Sequence, residues 1–138
     1  MTAHPTGVLD TNLVVLLERL RPDDLPAEPV ITAVTLAELS VGPLVTDDPA
    51  ERAARQVRLQ EVEAAFDPLP FDAASARAFG RVAAELRRSG RQVRARAFDA
   101  VIAAIAVAND LPVYTSNPRD FAGIEALTVV SVPHPGAG

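Results

Sequence analysis

The stretch Phe98-Asp99-Ala100-Val101-Ile102-Ala103-Ala104-Ile105-Ala106-Val107-Ala108-Asn109, followed after Asp110-Leu111 by Pro112-Val113-Tyr114-Thr115, decides the fold. Its first part is apolar nearly all round. A helix with no polar face has to be covered by other elements, so the segment from about Arg96 to Asn109 is predicted as a central, buried helix. The extended run 112–115 that follows is predicted as a strand.

Working outward, strands and helices alternate. Gly7–Leu9 reads as a short apolar strand, followed by a helix through Leu13, Val14, Leu16, Leu17 and Leu20 that Arg21-Pro22 ends. Val30–Ala33 is the second strand, and Thr35 starts a helix to about Val41, stopped by Gly42-Pro43. Asp48-Pro49 opens a longer helix from Ala50 to about Ala65, with Val57, Leu59, Val62 and Phe66 as apolar contacts. Prolines 68 and 70 place the extended piece Asp67–Phe71 at a sheet edge. Asp72 caps a helix to about Arg88, with Ala76, Phe79, Val82, Ala83 and Leu86 on one face and Ser89-Gly90 as its stop. Pro118–Phe121 is a single turn and Leu127–Val132 a last strand. The alternation predicts one α/β domain over 1–138, a central parallel sheet between two helical layers, with a core at about 7–132 and a flexible tail at 133–138.

Composition agrees with one domain: 138 residues, 49% apolar and 22% charged. No apolar run approaches the roughly 20 residues that span a bilayer. Met1-Thr2-Ala3-His4-Pro5 lacks the basic and then hydrophobic pattern of a signal peptide, and there is no cysteine, so a cytoplasmic location is expected. With only His4 and His134, a histidine-based zinc centre is disfavoured. The net charge of −5 argues against a broad nucleic-acid footprint. Locally the balance reverses, because Arg87, Arg88, Arg91, Arg94 and Arg96 cluster within ten positions. They read either as contacts to RNA phosphates or as a solvated helix end.

Three carboxylates stand alone in apolar or small-residue surroundings: Asp10 after Gly7-Val8-Leu9, Glu38 after the run 30–37, and Asp99 before the run 100–108. A carboxylate in such company needs compensation for its lost hydration. A divalent cation supplies it, since a bound ion keeps a buried carboxylate ionised. Each residue also has a local explanation. Asp10 can cap a helix. Thr35 and Glu38 match a capping box, which taken alone is the favoured account of Glu38. Asp99 can cap its helix or pair with Arg96. The segment Tyr114-Thr115-Ser116-Asn117-Pro118-Arg119-Asp120-Phe121 reads as another helix start with Asn117 as cap, or as a source of further oxygen donors, Asn117 and Asp120. Asp10 and residues 115–117 both follow strands, at the sheet edge where ligands of parallel α/β proteins collect.

Leu9-Asp10-Thr11-Asn12, Thr35-Leu36-Ala37-Glu38-Leu39, Phe98-Asp99-Ala100-Val101-Ile102-Ala103-Ala104 and Thr115-Ser116-Asn117-Pro118-Arg119-Asp120-Phe121, in this order, resemble the PIN-domain nucleases, and most closely the VapC toxins of bacterial toxin–antitoxin pairs. The resemblance covers residues 8 to about 132. It implies a parallel sheet between helices and an Mg2+-dependent endoribonuclease, with Mn2+ as a substitute. It maps the metal site onto Asp10, Glu38 and Asp99. Asn117 or Asp120 completes the catalytic set, Asn117 standing where many relatives carry Asp. Asp10 and Asp99 are expected to bind the ion, with Glu38 holding or deprotonating the attacking water. Thr11 and Thr115 would orient ligands or the scissile phosphate, and Arg94 and Arg96 would contact RNA. With no Trp, one Tyr and five Phe mostly on apolar faces, RNA shape is expected to matter more than aromatic stacking. The implied partners are structured tRNA or rRNA, a cognate antitoxin reaching the acidic groove, a second copy of the chain, and operator DNA only through the antitoxin. A catalytically impaired protein-binding module is the alternative that Asn117 favours. A phosphoryl-accepting domain fits less well, because the chain has no Lys.

Overall fold

A computed structural model describes residues 5–136; the leader reading at Met1–His4 and the last two residues of the expected tail lie outside them. The strands are β1 (Thr6–Leu9), β2 (Glu28–Val30), β3 (Val113–Thr115) and β4 (Val129–Ser131). The helices are α1 (Thr11–Val15), α2 (Ala33–Val41), α3 (Pro49–Ala65), α4 (Ala73–Arg88) and α5 (Ala97–Ala108). Tight single turns occupy Leu17–Arg19, Pro22–Asp24, Gly42–Leu44, Arg94–Arg96 and Pro118–Phe121.

All four strands are parallel, in the order β2-β1-β3-β4. Successive side chains of a strand face opposite sides, and the two core clusters divide on that period. Val8 and Val113 join Val82, Leu86, Ile102 and Phe121 on one side, while Leu9 and Tyr114 join Leu13, Val14, Ile31 and Val62 on the other. The three-layer α/β/α architecture is as expected. β1 and β3 are the inner strands, buried on both faces. The connection after β1 leads one way across the sheet to β2 and the later one leads back past it to β3, so the topological switch point lies between β1 and β3.

Two local features set the central strands. Gly7 lets the Tyr114 ring lie directly against β1: a Cβ there would come within 2.5 Å of the ring. At the end of α5, Asp110 adopts φ +57°, Leu111 N–H donates to Ala106 O and Asp110 N–H to Val107 O. This pair of bonds closes the last helical turn and turns the chain into β3.

Several boundaries differ from expectation. The first helix stops at Val15 and tightens into the 17–19 turn, where consecutive β-branched Val14 and Val15 give a helix little support. β2 ends at Val30, because Thr32 is already the N-cap of α2; Leu69 then bridges to Thr32, so 67–71 does lie at the sheet edge. On α4 the inward stripe is Ser75, Val82, Glu85 and Leu86, with Ala76 facing solvent. On α3, Val57 is exposed while Val62 is buried. Of the expected tail, Pro133–Gly136 is described, and Gly136 N–H donates to His134 Nδ1 there.

Candidate active site

Asp10 sits where β1 ends and α1 begins. It caps the helix, its Oδ1 accepting the Thr11 N–H at 2.8 Å. Its other oxygen, Oδ2, accepts the hydroxyl of Thr115 at 2.9 Å from the neighbouring end of β3. The same Thr115 oxygen accepts the Asn117 N–H at 3.0 Å, so this buried residue ties the two inner strands and the following loop together. Thr115 thus acts as a positioning residue, too buried to meet a phosphate itself. Asp10 is 4% exposed. Burial pushes its carboxyl above the ordinary range; the bonds from Thr115 and Thr11 oppose this, and the charges of Asp120 and Glu38 add to it.

Glu38 reaches the same place from the middle of α2. The capping-box account of Glu38 fails here, because Thr32 and not Thr35 precedes the helix. Thr35 is instead a fully buried residue one turn before Glu38. Thr11 Oγ1 donates to Glu38 Oε1 at 2.6 Å and lies 2.9 Å from Thr35 Oγ1. A hydroxyl has one proton. Because Glu38 takes that of Thr11, Thr35 must donate to Thr11, giving a directed relay Thr35 to Thr11 to Glu38. Thr35 was missed as a site residue; its place in a helix one turn before an acid was the available signal.

Asp99 lies in the first turn of α5. Burial is the main cause that lifts its carboxyl to about 6, with the charges of Asp120, Asp10 and Glu38 adding and Arg96 opposing. Arg96 Nη1 donates to Asp120 Oδ1 at 2.7 Å and stands 3.9 Å from Asp99 Oδ2. Asn117 Nδ2 donates to the other Asp120 oxygen at 3.2 Å. Arg96, expected to contact RNA, is therefore the internal counter-ion of the acidic group. Arg91 is likewise engaged, donating to Arg119 O. Arg87, Arg88 and Arg94 are exposed and carry no ion pair among the described residues.

Asp10, Glu38, Asp99 and Asp120 therefore share one electrostatic neighbourhood at the switch point, four carboxylates against the single guanidinium of Arg96. Among the described residues no three acidic or histidine side chains form a ready-made cage for an ion. The hydrogen bonds explain the open arrangement: Thr11 holds Glu38 while Arg96 and Asn117 hold Asp120. The PIN domain model matches residues 8–127 of this chain, from inside β1 to the approach to β4. The chain belongs to the PIN-domain family.

Relatives place it within that family. It is 38% identical over 134 residues to Ribonuclease VapC5 of Mycobacterium tuberculosis, covering 95% of this chain and 96% of that one. It is 31% identical over 127 residues to the tRNA(fMet)-specific endonuclease VapC of Shigella flexneri, covering 87% and 92%. The crystal structure of VapBC-5, a toxin–antitoxin system of M. tuberculosis, superposes with a TM-score of 0.81 at 35% identity, over 93% of this chain and 99% of that one. The PIN-domain donor set is all oxygen, matching hard divalent cations. The residues present fit such an ion in charge: the four carboxylates Asp10, Glu38, Asp99 and Asp120 stand against the single guanidinium of Arg96, an excess that a bound cation would offset.

Proposed function

We propose that this PIN-domain protein is a divalent-cation-dependent endoribonuclease, the growth-inhibiting toxin of a toxin–antitoxin pair that works in the cytoplasm. The observation that carries the reading is the convergence of Asp10, Glu38, Asp99 and Asp120 on one field at the β1/β3 switch point. Asp10, Asp99 and Glu38 would hold the cation, Mg2+ or in its place Mn2+. Such an ion supplies an activated water and neutralises charge developing on the phosphoryl group. Thr115 and the Thr11 N–H orient Asp10, and the Thr35–Thr11 relay holds Glu38 in position to accept a proton. Arg96 can leave Asp120 for a phosphate oxygen once a cation takes over its neutralising role, and Arg94 offers a second phosphate contact. Structured tRNA or rRNA is the proposed substrate, supported by the tRNA-cleaving activity in the name of the Shigella relative.

The antitoxin has a fitting seat. A groove of about 420 Å³ runs between α1 and α3, lined by Val14, Leu17, Ala54, Val62, Ala65 and Phe66. Val15 and Arg58 line both it and a smaller recess that contains Thr11 and Glu38, so one extended segment can lie in the groove and reach the acids. A cationic side chain at its end would complement the carboxylates. Exposed Val41, Leu44, Val45 and Val57 offer apolar surface for a second copy of the chain.

The decisive experiment incubates the purified chain with tRNA and rRNA, with Mg2+ and with a chelator. Cleavage should require the cation and fall about a hundredfold or more in Asp10→Asn, the scale of losing one charge-stabilising group in a closed site. Induced expression should arrest growth, and Asp10→Asn should relieve the arrest. Wild-type protein that cleaves no RNA at any divalent cation would refute the assignment.

A further inference from the structure

Phe98 is the most exposed aromatic ring described, at 62%. The other phenylalanines are accounted for by packing. Phe121 is buried, Phe66 and Phe79 pack against the core clusters, and Phe71 meets Phe79 edge to face with ring centroids 6.4 Å apart. Phe98 belongs to α5, whose residues Ala100 and Ile102–Ala106 are buried, yet its own ring stays in water. A solitary exposed apolar side chain is ordinary in itself. Its address is what carries weight. The Phe98 Cα is about 3.8 Å from that of Asp99, as for any neighbours. Exposed Arg94 lies one turn earlier, with no ion pair among the described residues.

We propose that Phe98 is a stacking platform for a nucleobase of single-stranded RNA flanking the bond that is cut. The inference rests on the nuclease assignment and deepens it by naming how substrate is registered. Successive side chains of a helix diverge by about 100°, so the exposed Phe98 ring flanks the acidic group and does not cover it; a base next to the bound phosphodiester would meet the ring there, with Arg94 on the phosphate beyond. Ring faces stack on any base, most strongly on the larger purines, so the site favours an unpaired purine beside the cleaved bond. Paired bases are already stacked on their neighbours, so the platform also selects loops over helices.

The chain has no tryptophan, so Phe98→Trp places a single tryptophan at the platform, excited selectively over Tyr114 at the red edge of its absorption. In a Glu38→Gln background, which prevents turnover, its emission should be quenched by a short single-stranded RNA. An oligomer of equal charge carrying abasic nucleotides should leave it unchanged, with binding of both followed by anisotropy of an end label. In the cleaving protein, Phe98→Leu should lose about tenfold in kcat/KM, while Phe98→Tyr and Phe98→Trp retain activity. That loss should vanish on a substrate abasic at the flanking position. RNA binding without quenching, or a Phe98→Leu protein that cleaves as fast as wild type, would overturn the proposal while leaving the nuclease assignment intact. A change in oligomeric mass on Phe98→Leu would also overturn it, by making the ring a protein interface. Wild-type protein that neither binds nor cuts RNA would remove both.

Discussion

A single hydroxyl joins residues 105 positions apart: Thr115 Oγ1 holds the Asp10 oxygen that the helix cap leaves over. That bond lowers the Asp10 pKa against the upward push of burial. Thr115→Val should therefore raise it further and move the acidic limb of the pH–rate profile to higher pH, with rates near wild type well above the limb. Asp99 gives a second pH signature. Its carboxyl is raised from 3.8 to about 6 in the folded protein, so folding and protonation favour each other. In cation-free buffer the associated stability is present in full below about 3.8 and is lost as pH rises through about 6. Thermal unfolding with a chelator should thus show a higher Tm near about pH 5 than near about pH 8. The difference should shrink in Asp99→Asn, with raised Asp10 supplying what remains. Adding a divalent cation should raise Tm most at the alkaline end, where both carboxyls are ionised.

At the scale of elements, patterns confined to one segment were legible and partnerships between segments were not. The continuous apolar run of α5, the Asp72 cap of α4 and the Asn117-Pro118 start of the last turn are local signals, and each element stands where they put it. β2 starts two residues and ends three residues before the expected strand, because Ile31-Thr32 has the composition of a strand while α2 already begins at Ala33, with Thr32 at its N-cap position. The acids could be picked out as lone charges in apolar runs. Their bonding could not: the pairing of Arg96 with Asp120 and the relay from Thr35 depend on elements more than twenty residues apart. For the same reason the arginine cluster read as one feature, whereas folding turns Arg91 and Arg96 inward and leaves Arg87, Arg88 and Arg94 outside. The contact of β1 with the Tyr114 ring gives a test at this scale. Gly7→Ala should destabilise the fold by about 1–3 kcal/mol through overpacking. It should lower the denaturant midpoint without changing the slope of the transition.

For the molecule as a whole, the acidic group and the groove between α1 and α3 occupy adjoining surfaces. The groove between α1 and α3 shares Val15 and Arg58 with the recess at Glu38, whereas Ala54, on α3, lines the groove and not that recess. Ala54→Glu should therefore weaken the proposed capture of a cognate antitoxin at least about tenfold, by placing bulk and a further charge under the docked segment where it loses hydration. RNA cleavage by the isolated protein and its Tm should stay near wild type, because glutamate suits an exposed helix position. A pull-down titration run beside a cleavage assay separates the two effects.

The strand order has one more consequence, for the order of events on the ribosome. The first acid is made almost at once, but its inner neighbour in the sheet belongs to the last fifth of the chain, and no earlier segment substitutes for it. A nascent polypeptide lacking β3 has neither the threonine that orients Asp10 nor the strand that flanks it. The acidic group can therefore come together only once nearly the whole chain has been made and β3 has left the ribosome.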